Sequence, residues 1–261
     1  MKRLLHAAVI LLVCTPAFAG LRYEFSSVTS GKGGGNMIGA ASVEGSNMRL
    51  EIRKGDNILF KDSSVVLSSD GGKTLTILDP KSKTYYELPL EETFKAVAGA
   101  FKAMGPMMKM SFDNQKVDVT PAVDGGEIQG YPTRKHVVNV KYDMNVRVMG
   151  MKTSSTVDMT TESWITDKIA ADQATFVQAK TLRTGVEDID RLIETQMTAA
   201  TGFPLKSIVT TTTTQGKKSE TSTTTMEVSK IEQAAIPASQ FEVPAGYSKT
   251  DSPMAGLESL R

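Results

Sequence analysis

Methionine is the residue type whose clustering in this chain could do chemistry. Met104, Met107, Met108 and Met110 fall within seven residues, and Met149 and Met151 form a second close pair. Thioether sulfur is a soft ligand that selects Cu(I), so the first four are candidate copper ligands. The same side chain is flexible and fills irregular apolar gaps. A Met-rich run therefore also suits plain core or lid packing, or the lining of a pocket for acyl chains.

Other reactive side chains are few. The chain has two histidines, His6 and His136, and one cysteine, Cys14. A hydrolase triad or a histidine-based zinc site is hard to build from His136 alone. That residue shares a strand-like face with Arg134, Val138 and Val140, and it reads as structural or solvated. Glu91-Glu92 and the group Glu187, Asp188 and Asp190 are acids close enough to work as acid and base. The first pair also sits where a helix N-terminus favours acids, and the second reads as a solvated helix face. Gly31 to Gly35 and Gly71-Gly72-Lys73-Thr74 lack the frame of a phosphate loop and read as turns. The pattern predicts no enzyme and no cofactor.

The N-terminus sets the compartment in which any binding would occur. Lys2 and Arg3 precede a mostly apolar run from Leu4 to Val13, and Ala17-Phe18-Ala19 has the small-x-small form of a peptidase site before Gly20. The expectation is a cleaved signal peptide over 1–19, cleavage after Ala19, and a periplasmic or secreted protein. Cys14 follows Val13 rather than a small residue, which is a poor fit to a lipidation site. Removing Lys2 and Arg3 leaves 28 of the 30 basic residues against 29 acidic ones. A near-neutral chain has no overall electrostatic pull toward nucleic acid or anionic lipid. No later apolar run is long enough for a transmembrane segment.

The elements that must position these residues read mainly in period two. Leu21, Tyr23 and Phe25 alternate with polar residues, and so do Met48, Leu50 and Ile52. Short strand-like runs follow at Ile58 to Lys61, Ser64 to Ser68, Thr74 to Leu78 and Thr84 to Leu88. Turn residues separate them. From Leu90 the pattern becomes helical: Leu90, Phe94, Val97, Phe101, Met104 and Met108 form one stripe, which Gly105-Pro106 should break or kink. Strands are expected again from Val117, at Arg134 to Tyr142, Asn145 to Met149 and Thr153 to Ile165. A second stripe joins Phe176, Ala179, Leu182, Val186, Ile189, Ile193 and Met197. Leu205 to Thr214 and Ser219 to Ile231 read as a threonine-rich hairpin turned at Gln215 to Lys218.

Five motifs carry a family resemblance: Leu78 to Leu88, Gly130 to His136, Glu162 to Ile165, Gly202 to Lys206 and Phe241 to Tyr247. In order and spacing they resemble a bacterial envelope domain family of unknown function, similar to the LolA/LolB-like lipoprotein carriers. The resemblance implies an α+β fold, a curved antiparallel β-sheet (half-barrel) covering two or more amphipathic helices, with an apolar concave face that shelters acyl chains. It implies no catalytic residues.

The combined expectation is one domain over 20–247 and a disordered tail over 248–261. Its function is a non-enzymatic binding protein for lipid or an acylated protein. The alternatives are a sensor or scaffold that binds another envelope protein and, less favoured, a Cu(I) site. Phe94, Val97, Phe101, Met104, Met108, Phe176, Ile189 and Ile193 are the candidate lid or groove residues.

Overall fold

The computed structural model of the protein describes residues 20–31, 34–56, 61–103, 105, 108–170, 187, 190–191, 194 and 201–253. Six strands come first: β1 Gly20–Ser30, β2 Asn36–Glu44, β3 Asn47–Gly55, β4 Val65–Ser68, β5 Thr74–Asp79 and β6 Thr84–Pro89. Helix α1, Leu90–Ala103, follows. Five longer strands come next: β7 Met108–Ile128, β8 Tyr131–Val148, β9 Met151–Thr166, β10 Phe203–Gln215 and β11 Lys218–Ala234. A short 3-10 turn, Ala238–Phe241, leads to β12, Ser248–Lys249. All strands join one sheet in the order β12-β6-β5-β4-β3-β2-β1-β11-β10-β9-β8-β7. β1 to β6 and β7 to β11 are antiparallel meanders, β12 adds parallel to β6, and the β1–β11 pairing joins the halves.

The order of strands constrains the shape. β6 and β7 are consecutive along the chain yet ten strand steps apart in the sheet, which would be roughly 48 Å if the sheet were flat. The 14 residues of α1 span about 21 Å, and the link from Ala103 to Met108 adds at most about 18 Å. The chain reaches β7 only if the sheet bends.

The main core lies on one face of the first half. Leu21, Tyr23, Phe25, Ala41, Leu50, Ile52, Val66, Ile77, Phe203, Leu205 and Val228 are buried together. Their alternation along β1 and β3 is the period of a strand, which sends successive side chains to opposite faces. Phe203 meets Tyr23 edge to face, with ring centroids 5.4 Å apart. Burial pushes the Tyr23 phenol far above its ordinary pKa. On the outer face, Val65, Leu67 and Leu78 pack with Tyr85, Val243 and Tyr247.

Several expectations are corrected. The expected α+β half-barrel over two or more amphipathic helices does not form; the protein is mostly β, one open sheet, with α1 its one named α-helix among the described residues. The stripe read through Met108 stops at Ala103. Beyond Gly105, Met108-Lys109-Met110-Ser111-Phe112-Asp113 alternates apolar and polar, so period two displaces period 3.6 and β7 begins well before Val117, where strands were expected to resume. The second stripe, with Phe176, Ile189 and Ile193, lies mostly outside the described residues. So do 1–19, most of Ile58 to Lys61, and 254–261. Arg134 to Tyr142 and Asn145 to Met149 form one strand, β8, which ends at Val148. Ser248 and Lys249, expected in a disordered tail, pair parallel with β6, and Thr250 donates its backbone N–H to the Tyr85 carbonyl at 2.8 Å. β2 was not foreseen, because Gly39 and its alanines are weak strand formers. Gly39 is required there: a Cβ would lie 2.7 Å from Phe25 Cζ.

Truncating Phe203, which is fully buried, should cost about 3–5 kcal/mol of unfolding free energy. Thr212→Ala, on an exposed cross-strand pair with Thr221, should stay within about 0.5 kcal/mol. Urea unfolding of both variants checks the contrast; equal costs would place the core elsewhere.

Candidate functional site

The apolar surface of the sheet does not end with the core. It continues along β7, β8 and β9, where register sorts residues by face. Val117 pairs with Val140, Val119 with Val138, Phe112 with Met144 and Met110 with Val146. Val140 in turn faces Met159, Tyr142 faces Val157 and Val148 faces Met151. All these residues share one face. The intervening positions put Lys109, Ser111, Asp113, Asn139, Lys141, Asp143, Asn145, Arg147, Ser154, Thr156 and Asp158 on the other. The three strands are an amphipathic blade.

The polar face locks this register. Asn114 donates to Asp143 and Asn145 donates to Asp113, both at 2.7 Å. Thr156 donates to the second oxygen of Asp143 at 2.7 Å, and Thr160 donates to Asn139 at 2.8 Å. Hydrogen bonds from Asn114 and Thr156 hold the Asp143 carboxyl below its ordinary range, helped by the charge of Lys141. The apolar positions of β7 change from even to odd numbers between Phe112 and Val117. A bulge between Asp113 and Lys116 absorbs the one extra residue and keeps both on the same face. Asn114 takes a left-handed φ of 54° to make it.

Coverage of the apolar face is uneven. Val138, Val140 and Val157 are buried, while Val117 and Val119 on the outer strand are 37% and 43% exposed. Phe112 and Tyr142 meet at 5.8 Å between ring centroids. Desolvation raises the Tyr142 phenol pKa. This face can hold apolar matter; it offers no acid–base pair.

The predicted residues fall unevenly. Phe94 is half-buried on α1, which follows β6 directly. Val97 and Phe101 lie on the same helix. Met108 is the first residue of β7, opposite Val148. Met104, Met107, Phe176, Ile189 and Ile193 lie outside the described residues. Of the four candidate Cu(I) ligands, Met108 and Met110 are on β7, and Met110 is exposed. Among the described residues no group of three or more His, Cys, Asp or Glu side chains could hold a metal. The paired acids form solvated ion pairs: Glu91 with Lys95 at 2.6 Å and Glu187 with Arg191 at 2.9 Å. The face on β7 was missed, although the Met108 to Asp113 alternation signalled it.

The motifs behind the family resemblance turn out to be joints. Leu78 and Tyr85 meet Val243 and Tyr247. Gly202 lies against Ile165, where a Cβ would come within 2.6 Å of Ile165 Cγ2. Trp164 stands on the outer face between Lys135 and Lys206, whose ammoniums sit 4.8 and 5.8 Å from its ring centroid. Glu162 and Glu227 pair with those lysines. Gly125 lets β7 approach β8 closely; a Cβ there would lie 2.6 Å from Thr133 Oγ1 and 3.0 Å from Trp164 Cδ1.

Residues 28–247 match the model of a domain of unknown function, DUF4412. No curated protein matches the sequence. Among solved structures, the chain is similar to an uncharacterized conserved protein from Thermus thermophilus, with 8% identity, TM-score 0.38, and coverage of 90% of this chain and 91% of that one. A structure of PNGF-II is similar over 93% of this chain but 32% of its own, with 11% identity and TM-score 0.36. A LolA superfamily protein from Nitrosomonas europaea shows 9% identity and TM-score 0.31, over 87% of this chain and 91% of that one. Likenesses this distant carry no inference about function.

Two outcomes test the geometry. The Asp143 carboxyl is held below its unfolded value, so its stabilising contribution is present above about pH 4 and is lost as pH falls through the native value. Thermal melts of Asp143→Asn should therefore lose part of the acid sensitivity of the parent; an unchanged slope would remove Asp143 from the register lock. Gly125→Ala should press on Thr133 Oγ1, 2.6 Å from the added Cβ, and on the edge of the only tryptophan, shift its fluorescence, and cost about 1–3 kcal/mol.

Proposed function

The chain belongs to the DUF4412 family, and on that premise we propose that it is an exported, non-enzymatic binding protein that holds lipid or a lipidated polypeptide on the apolar face of β7–β9. One observation carries the reading. An apolar face more than a strand wide continues from buried Val138 and Val140 to exposed Val117 and Val119. Burial of an acyl chain gains about 0.8 kcal/mol per methylene, so binding needs no reacting group. The polar network on the opposite face supports the reading because it prevents the blade from turning over. No helix among the described residues is long and apolar enough to cross a membrane. Export rests on the leader read from residues 1–19.

A protein-binding scaffold is the second reading, and one observation favours it. Among the described residues β7 is the outermost strand of the sheet and no strand pairs with its outer edge. Strand addition by a partner uses such an edge. Yet β7 carries Pro121 and three register shifts, and these devices blunt an edge against pairing. The face is therefore favoured over the edge.

Native mass spectrometry of the purified protein should show a bound lipid or acylated peptide of defined mass. A clean apo mass, unchanged after incubation with membrane lipids, would overturn the lipid reading. Val119→Glu places a charge at an exposed position of the face, where the fold tolerates it. Affinity for a fluorescent palmitoyl probe should fall at least about tenfold, with an unchanged melting temperature.

A further inference from the structure

The far end of the blade has a composition that the groove does not explain. β8 and β9 are joined by the two-residue turn Met149-Gly150, flanked by Val148 and Met151. Met149 and Met151 are 75% and 73% exposed, and Val148 and Met110 beside them are more than two-fifths exposed. Met149 adopts φ of 48° and Gly150 φ of 85°. Turns of this kind favour Asn-Gly, since a long side chain at positive φ is strained. A large apolar residue thus occupies the most exposed point of the hairpin, where a polar one would fit the backbone better.

The polar face supplies an independent observation at the same end. Lys109 is in register with Arg147, and Arg147 with Lys152. Three cations stand side by side across three strands, all exposed. None of them forms an ion pair among the described residues, although Lys141, Lys135 and Lys206 elsewhere in the sheet each have an acid partner. Like charges directly opposite one another on adjacent strands repel. A near-neutral protein has gathered cations that have no acid partner among the described residues, one position behind an apolar tip.

We propose that the Val148–Met151 tip docks on an anionic phospholipid surface. The thioether and valine side chains enter the apolar layer. The row Lys109, Arg147 and Lys152 meets lipid phosphates, its long stems running along the apolar tip while the charges stay at headgroup level. Apolar side chains backed by basic ones are the arrangement that interfacial anchors use. The charge complementarity selects a membrane over an apolar protein partner. The docking does not require an occupied groove.

Flotation of the purified protein with vesicles tests this. At low salt it should bind phosphatidylglycerol vesicles at least about tenfold more tightly than phosphatidylcholine vesicles, and release as salt rises. Met149→Asn with Met151→Ser should abolish flotation without lowering the melting temperature, because asparagine suits the turn. Arg147→Gln and Lys152→Gln should each weaken binding roughly fivefold. Equal binding to both vesicle types, or wild-type flotation of the methionine variant, would overturn the proposal. So would absence of vesicle binding, including the case in which a tip-dependent protein partner is recovered instead. Val119→Glu separates the two readings: it should float normally while losing the palmitoyl probe.

Discussion

The pairing of β1 with β11 is the interaction on which the rest of the sheet depends. It joins Gly20 to Ala234 and Ser30 to Thr223, nearly the full length of the described chain apart. Without it there are two separate meanders, each with a bare edge. The pairing also aligns Phe25 with Val228 and completes the row of buried residues across the centre of the sheet. Closing so large a loop costs entropy, but that cost grows only with the logarithm of loop length. Burial of Leu21, Tyr23, Phe25 and Val228 offsets it.

Once the halves are joined, connectivity does the rest. α1 and a short link must run from β6 to the opposite edge, and their limited reach bends the sheet. The C-terminal segment returns to the outer face of β4 to β6, where Val243 and Tyr247 cover Val65, Leu67 and Leu78. The first half is thus covered on both faces. The second half has a threonine-rich and ionic outer face, with hydroxyl pairs such as Thr212–Thr221 at 2.9 Å and Thr214–Ser219 at 3.2 Å. Threonine serves both needs there: its branched side chain suits a strand and its hydroxyl suits water.

The division of labour follows from this asymmetry. The first half is built for stability, with its apolar face consumed by the core. The blade of β7, β8 and β9 extends past that core, and its apolar face is partly free for other matter. The bulges in β7 matter because a one-residue slip exchanges the two faces of a strand. Asp113, Asn114, Asp143 and Asn145 form a polar lock that makes such a slip costly.

Much of the strand content was legible from alternation, because the period of two is local and needs no knowledge of partners. The hairpin at Gln215 to Lys218 and the turn at Asp70 to Gly72 were legible for the same reason. The family motifs were legible too, but not their role as joints: contact between Leu78 and Val243, or between Gly202 and Ile165, is made across long stretches of chain. β2 was hidden because Gly39 is chosen by the close approach of the Glu51 carbonyl and the ring of Phe25, not by strand propensity. The helical reading through Met108 failed because apolar residues spaced by three or four can also fall, across Gly105-Pro106, in two different elements. The sequence by itself determined the period of each segment and the residue types on each face. Only tertiary structure decided which faces were used up by the core, which methionines stood together at the blade's end, and which cations had no acid partner among the described residues. Those depend on register between strands distant in sequence, and pairing across the sheet is not a local property of the chain.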